Sequence, residues 1–255
     1  MVEISIEQLT VEFAILGPRS RLLKNRVIAQ ATGGRIMASA HDVVRVRAID
    51  EMTLDIREGD RVGLVGHNGS GKSTLLRALA GIYKPSRGRI TVTGKVGTLL
   101  APQMGLEQEA SGMENIYLRG YLLGMSKREI DSKVDDIAEF TELGEFLQLP
   151  MRTYSQGMSA RLGFAISTAM HNDILLIDEG IGAGDKSFQV KAQQRISGLI
   201  DRTPIVVLAS HAEDLVKRLC NRVVQLERGK IVRDEPITDK PSEAEAVASA
   251  LRDAG

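Results

Sequence analysis

The sequence has only one cysteine, Cys220, and it has no net charge, since 33 basic residues balance 33 acidic ones. A single cysteine excludes an intramolecular disulfide and a cysteine-rich metal site, and it suits a reducing compartment. Without a net charge there is no overall field to attract nucleic acid, so no nucleic-acid partner is expected. No run approaches the roughly 20 apolar residues of a membrane-spanning helix, and the first residues lack a signal-peptide pattern. We therefore expect membrane contact only through a partner protein.

Candidate strands and helices alternate along most of the chain. The strands cover residues 2–13, 43–56, 61–65, 89–100, 174–177 and 205–209. The helices cover residues 72–80, 114–123, 127–140, 157–170 and 191–201. Strands that alternate with helices are typical of an α/β fold with a mostly parallel sheet.

Three stretches depart from this alternation. Residues 14–42 break the pattern, and we expect an insertion that carries a short helix or a hairpin. Residues 105–158 are mainly helical and predict a helical subdomain set into the α/β core. The tail, residues 236–255, ends in a short predicted helix. Residues 1–255 are otherwise expected to form a single domain.

Residues 66–74, with the sequence GHNGSGKST, fit the phosphate-loop pattern G-x-x-x-x-G-K-S/T. The loop follows an apolar strand and opens a helix. Its glycines let backbone N–H groups turn toward a phosphate, which the positive end of the helix also attracts. We expect Lys72 to reach the β- and γ-phosphates and the Ser73 hydroxyl to bind Mg²⁺. The expected ATP-binding residues are Gly66, His67, Asn68, Gly69, Ser70, Gly71, Lys72, Ser73 and Thr74. The sequence lacks the Asn-Lys-x-Asp motif with which a GTPase recognises its base, so a GTPase is not expected.

Two adjacent carboxylates, Asp178 and Glu179, follow the apolar run ILLI. Because neighbouring residues of a strand point in different directions, the two can serve different roles. We expect Asp178 to hold Mg²⁺ through water and Glu179 to act as the general base. His211 follows the next candidate strand, and the ends of parallel strands share one sheet edge, so it should approach the γ-phosphate. A solvated acidic turn and a structural histidine are the alternatives.

A serine and a glycine open another candidate helix within the sequence YSQGM at residues 154–158. Ser155 is expected to cap this helix, and Gly157 allows a ligand to approach the backbone closely. Alone, this pattern is more often a plain helix cap. Its position between the phosphate loop and the acidic pair makes it informative.

Together these motifs resemble the nucleotide-binding domain of ABC transporters over nearly the whole chain. The resemblance implies an ATPase with a P-loop NTPase core, an N-terminal antiparallel β part and an inserted helical subdomain. It also implies that two copies of the chain sandwich two ATP molecules with Mg²⁺. In that arrangement Ser155, Gln156 and Gly157 of one copy face the ATP held by Lys72 of the other. Asp185 of the D-loop would touch the partner copy, and His211 would be the switch histidine.

The resemblance suggests two further site residues. Gln103, near the end of the strand 89–100, is the candidate coupling glutamine, which senses Mg²⁺ and water and relays motion to a permease. It joins Ser73 and Asp178 as a candidate Mg²⁺ ligand. Phe13, at the end of the first strand, either stacks on adenine or belongs to the core.

Two departures from the usual family motifs narrow the resemblance. The signature reads YSQGM where Leu-Ser-Gly-Gly-Gln is usual, and the turn before Asp185 reads GIGAG where a proline is usual. Both variants resemble the branch that exports bacterial cell-surface polysaccharides. O-antigen is favoured, with teichoic acid, capsule and a soluble ABC ATPase without a transport role as alternatives. The resemblance implies an integral-membrane permease partner and a peripheral location at the cytoplasmic face of the inner membrane.

Overall fold

The computed structural model describes residues 1–15, 36–38, 44–100, 105–178 and 186–238. They form two compact units. The first comprises the described parts of Met1–Lys95 and Pro204–Gly255, and the second those of Val96–Thr203. Within the described ranges no helix has the length and apolar character needed to span a membrane.

The elements of both units are numbered in chain order. The strands are β1 (Glu3–Ile15), β2 (Ile36–Ala38), β3 (Val44–Arg57), β4 (Arg61–Val65), β5 (Arg87–Thr93), β6 (Val96–Leu99), β7 (Ile174–Ile177), β8 (Ile205–Ala209), β9 (Arg222–Glu227) and β10 (Lys230–Pro236). The helices are α1 (Lys72–Leu79), α2 (Gly112–Leu122), α3 (Lys127–Asp131), α4 (Val134–Thr141), α5 (Gln156–Thr168), α6 (Lys186–Arg202) and α7 (Glu213–Leu219). Two 3₁₀ helices, Gly144–Gln148 and Met151–Thr153, lie between α4 and α5.

The first unit contains an antiparallel sheet with the strand order β2-β3-β1-β5. Ile4 of β1 pairs with Ile56 of β3 on one side and with Val92 of β5 on the other. Ile4, Ile6 and Val11 are buried, as the alternation of the first strand predicts. The expected N-terminal antiparallel part is therefore confirmed.

The first unit also contains a sheet with the order β10-β9-β4-β8. In it β4 runs parallel to both β8 and β9, and β10 runs antiparallel to β9. The predicted strands 61–65 and 205–209 are confirmed, and every residue of β8 is buried. Because Leu64 lies beside Ala209, the segments that follow β4 and β8 leave the sheet at the same edge. This pairing positions the phosphate loop next to His211.

The second unit joins the parallel pair β6 and β7 to the helices α2 to α6. A hydrophobic core holds the helices together. Its buried members are Ile116, Ile130, Ile137, Leu143, Leu147, Met151, Leu162, Ala165, Ile166 and Ala169. Leu162, Ala165 and Ile166 lie on α5 and Ala169 directly follows it, and all four are buried, as their sequence spacing predicts.

Two predicted elements are corrected by the structure. The expected strand 89–100 is two strands, β5 and β6, because Gly94 turns the chain between them with a φ of 127° that favours glycine. The expected helix 127–140 is also two, α3 and α4. The Ser132 hydroxyl donates to the Glu129 carbonyl at 2.7 Å, and this local bond competes with a continuous helix.

Several predictions fall outside the described residues. The predicted insertion at 14–42 is described only at its start and in the strand β2, and most of the tail 236–255 is outside. The bounds of the helical subdomain, 105–158, remain a prediction. Conversely, α7, β9 and β10 were not predicted from the sequence.

Candidate functional site

The phosphate loop between β4 and α1 turns through three glycines with positive φ. These angles are 142° at Gly66, 77° at Gly69 and 117° at Gly71. At Gly66 an added Cβ would lie 2.3 Å from the Leu226 carbonyl oxygen, so only glycine fits there. The loop is closed by hydrogen bonds between backbone groups, including the Gly229 N–H, which donates to the Ser70 carbonyl at 2.8 Å. Leu226 of β9 and the turn after β9 therefore help to fix the backbone conformation of the loop.

Helix α1 begins at Lys72, and its N-terminal end suits an anion. No described side chain caps this end, and the first turn carries no acidic residue. The first N–H groups of a helix have no partner within the helix, and the helix dipole makes this end positive. A phosphate held by the loop would receive both contributions.

Lys72 and His211 are brought together within the first unit. The Lys72 side chain is largely buried, and its Nζ donates to the Gly66 carbonyl at 2.6 Å. The same Nζ lies 3.5 Å from Nε2 of His211, which is exposed just beyond the end of β8. The Ser70 hydroxyl oxygen is buried in the loop without a hydrogen-bond partner among the described residues. A cation, an imidazole and an unsatisfied hydroxyl thus lie at one phosphate-binding loop.

A cavity of about 460 Å³ adjoins the loop within the first unit. Gly66, His67 and His211 line one side of it. Lys217 of α7 and Arg233 of β10 also line it, and no sequence motif pointed to either residue. Both lie on elements that were not predicted, so sequence reasoning had no means of placing them here.

The second unit carries the signature residues at the start of α5. The Ser155 hydroxyl accepts a hydrogen bond from the Met158 N–H at 3.2 Å, which confirms the expected helix cap. An added Cβ at Gly157 would meet only the Ser155 hydroxyl, at 3.8 Å, within the described structure. A side chain would therefore fit at Gly157 as far as this chain is concerned. Packing within the described structure therefore does not require glycine at this position.

A cavity of about 520 Å³ lies beside these signature residues. It is lined by Glu142, Leu143, Phe146, Ser155, Gly157, Met158 and Arg161. The first turn of α5 contains no acidic residue, so its N-terminal end is positive toward this space. This arrangement can receive an anionic ligand.

Of the remaining predicted site residues, two are described by the structure and three are not. Asp178 is half-buried and directly follows β7, where the sequence placed it. Phe13 keeps 36% of its surface exposed and packs edge-on against Tyr83, with ring centroids 5.0 Å apart. Both readings of Phe13 therefore stand. Gln103, Glu179 and Asp185 lie outside the described residues.

The donor types available for Mg²⁺ are oxygen atoms. Ser73 offers a hydroxyl at the start of α1, and Asp178 offers a carboxylate beyond β7. Mg²⁺ prefers such oxygen ligands and usually keeps several waters, so few protein ligands are needed. No group of three His, Cys, Asp or Glu side chains in the described ranges could hold a metal ion. Oxygen donors of the type that Mg²⁺ prefers are therefore present in each of the two units.

The chain is similar in sequence to known proteins. The family model described as ABC transporter matches residues 49–182. An O-antigen export system ATP-binding protein of Yersinia enterocolitica is 46% identical, over 92% of this chain and 98% of that protein. A teichoic acids export ATP-binding protein of Lactococcus lactis is 38% identical, over 90% of this chain and 48% of that protein. This chain thus spans nearly all of the first relative and about half of the second.

Solved structures give the same fold. A dimeric ATP-binding cassette in a post-hydrolysis state with ADP and Pi has a TM-score of 0.66 and 20% identity, covering 92% of this chain and 99% of that one. An ATP-binding subunit of an ABC transporter has a TM-score of 0.70 and 17% identity, covering 98% and 99%. Fold and phosphate loop together define a P-loop nucleotide-binding protein. The chain belongs to the ABC transporter family, and it is an ATPase of that family.

Proposed function

We propose that this chain is the ATPase subunit of an exporter that moves a lipid-linked cell-surface polysaccharide, most closely O-antigen, across the inner membrane. One observation carries the proposal: the 46% identity to an O-antigen export ATP-binding protein, over 98% of that relative. The teichoic acid relative supports the same class of cargo with a different glycan. The chain would act peripherally at the cytoplasmic face, with a permease that spans the membrane.

ATP would be hydrolysed between two copies of the chain. Each ATP would lie between Lys72 of one copy and the signature residues Ser155, Gln156 and Gly157 of the other. The open space at Gly157 supports this arrangement, because packing inside the chain gives no reason for a glycine there. Asp185 would contact the second copy. Two positive helix ends, those of α1 and α5, would then face the same triphosphate.

Within each site the roles follow from the chemistry of the groups. Lys72 and the phosphate loop stabilise the charge that develops on the transferred phosphoryl group. Glu179 accepts a proton from the attacking water, and His211, next to Lys72, helps to hold the γ-phosphate. Ser73, Asp178 and Gln103 are the proposed ligands of Mg²⁺, which neutralises charge on the β- and γ-phosphates.

An apolar stripe on α2 supports a protein partner for the second unit. Leu118, Tyr121 and Leu122 expose 45%, 50% and 76% of their surfaces. They lie at helical spacing on one face of α2, opposite the buried Ile116 and Gly120. Exposed apolar residues grouped on one face mark an interaction surface. We assign this surface to the permease.

The test of the transport role is affinity purification from detergent-solubilised membranes of the native host. A multi-helix permease that co-purifies in a roughly one-to-one ratio is the expected result. The recovery of ribosomes or DNA-repair proteins in its place would favour a soluble ABC ATPase without a transport role. Loss of surface polysaccharide on gene deletion, restored by the intact gene, identifies the cargo class.

Glu179→Gln tests the hydrolytic step. We expect ATP to bind with nearly unchanged affinity while turnover falls about 100-fold or more, because a positioned general base contributes that much. The control is Asp173→Asn, which removes a carboxylate at the opposite end of β7. Equal turnover in Glu179→Gln and the parent would remove Glu179 as the base.

A further inference from the structure

Glu142 has an uncommon backbone conformation beside the signature residues. It ends α4 in the left-handed region, with φ 56° and ψ 25°. A residue with a Cβ rarely adopts this conformation, and where it does the surrounding structure holds it in place. The conformation turns the chain at the end of α4, and Glu142 is one of the residues that line the cavity beside Ser155 and Gly157.

The Glu142 carboxylate serves two cations on two other helices. One oxygen lies 3.5 Å from Nη1 of Arg161 on α5, and the other accepts a hydrogen bond from Nζ of Lys191 on α6. Arg161 is further held against the ring of Phe188, with its guanidinium carbon 5.0 Å from the ring centroid. Glu142 is therefore bound on both of its oxygens, within one unit of the chain.

Two members of this ion cluster line the cavity beside the signature residues. Glu142 and Arg161 line the same space as Ser155 and Gly157. Arg161 lies one helical turn beyond Gly157, which places it on the same side of α5. The side chain of Arg161 is 17% exposed and that of Glu142 is 44% exposed, so both act on a ligand through partly hydrated surroundings. An anion that enters here meets a carboxylate as well as a guanidinium.

We propose that Glu142 is a charge-balancing residue of the signature face, which weakens its attraction for the triphosphate bound to a second copy of the chain. The proposal rests on the ATP-sandwich arrangement proposed above. The carboxylate offsets the positive charge that Arg161 and the end of α5 present to the phosphate. This keeps ATP-driven association of two copies reversible, so that the sites reopen after hydrolysis.

A charge-balancing role and a purely structural role predict opposite changes in the association of two copies when Glu142 is removed. If the Glu142–Arg161 pair only supports the fold, removing either partner weakens the association of two copies. If Glu142 balances charge, removing it strengthens ATP-driven association, whereas removing Arg161 weakens it. The two substitutions therefore form a matched pair with opposite expected effects.

The test measures the dissociation constant of the ATP-bound dimer. It uses the full chain in a Glu179→Gln background, with saturating ATP and Mg²⁺, followed by analytical ultracentrifugation at low ionic strength. Glu142→Gln should lower the dissociation constant about five-fold and Arg161→Gln should raise it about as much, as expected for the loss of one partly hydrated charge. At about 0.5 M salt the Debye length is only a few ångströms, so both effects should shrink.

Glu145→Gln is the control, because Glu145 is an exposed acidic residue nearby that does not line the cavity. It should leave the dissociation constant unchanged. Glu142→Asn is the second variant, because asparagine tolerates the left-handed region. If Glu142→Gln does not fold, the dissociation constant of Glu142→Asn tests the proposal in its place.

The outcomes separate the two proposals. If the Glu179→Gln parent stays monomeric with ATP, the sandwich arrangement is wrong, and the role of Glu142 falls with it. If the parent dimerises but Glu142→Gln binds no tighter, or Arg161→Gln shifts in the same direction, charge balancing is refuted while the sandwich stands.

Discussion

Replacing Gly157 with alanine should separate the stability of the chain from its ATPase activity. Gly157 lies in the first turn of α5, where an added Cβ would meet only the Ser155 hydroxyl, at 3.8 Å, within the described ranges. That distance is an ordinary van der Waals contact, so the folded chain accommodates the methyl group without moving. The substitution is therefore silent or favourable for folding, and any loss of function must arise from outside the chain.

The expected change in folding stability is much smaller than the expected change in turnover. Alanine is better than glycine in a helix by about 1 kcal/mol in the interior, and about half of that is expected in the first turn. The methyl group would also hold a phosphate away from the backbone N–H groups at the start of α5. Loss of one such preorganised donor lowers turnover about 100-fold or more.

Urea unfolding without nucleotide measures the stability, and phosphate release at saturating ATP measures the turnover. Gly198→Ala is the matched control, because Gly198 lies on α6 with nothing described within 4 Å of an added Cβ. It should stabilise the chain by about 1 kcal/mol and leave turnover unchanged. Full activity in Gly157→Ala would refute the close approach of a phosphate to this backbone. A clear loss of stability would show that the chain itself needs the glycine.

Two further predictions concern stability in the second unit. An added Cβ at Gly97 would lie 2.1 Å from Nδ2 of the buried Asn172, so Gly97→Ala should cost about 1–3 kcal/mol in urea unfolding, and adding Asn172→Ala should recover part of it. If the double variant loses as much stability as Gly97→Ala alone, the contact with Asn172 is not the source of the strain. The hydrogen bond from Arg195 lowers the pKa of Asp136, so this carboxylate stabilises the fold above its unfolded pKa and stops doing so as the pH falls through its folded pKa. Asp136→Asn should therefore cost at most about 1 kcal/mol at pH 7. The difference from the parent should begin to close as the pH falls below about 4 and should vanish below the folded pKa of Asp136; a difference that stays constant in acid would contradict this.

Local patterns account for what sequence reasoning predicted correctly. The phosphate loop and the Ser155 cap depend on consecutive residues, because glycine conformations and a side chain that bonds three residues ahead are set within one short segment. The strands β7 and β8 were predicted to the residue because each is a short apolar run that is buried throughout.

The errors have equally local causes. Periodicity suggested one helix at 127–140, and the Ser132 hydroxyl bond and the turn after it divide that stretch into α3 and α4. The elements α7, β9 and β10 are short, and their mixture of buried and exposed residues gives no clear period. Lys217 and Arg233 were missed for that reason.

The sequence by itself determined three local features: a phosphate loop, a pair of adjacent acidic residues and a helix capped by Ser155. Each is set by adjacent residues. Only the tertiary structure decided which distant residues meet. Lys72 lies 3.5 Å from His211 because β4 pairs in parallel with β8, and Glu142 contacts Arg161 and Lys191 because three helices pack together. Such contacts depend on strand register and helix packing between segments far apart in the chain, and no local pattern of residues encodes them.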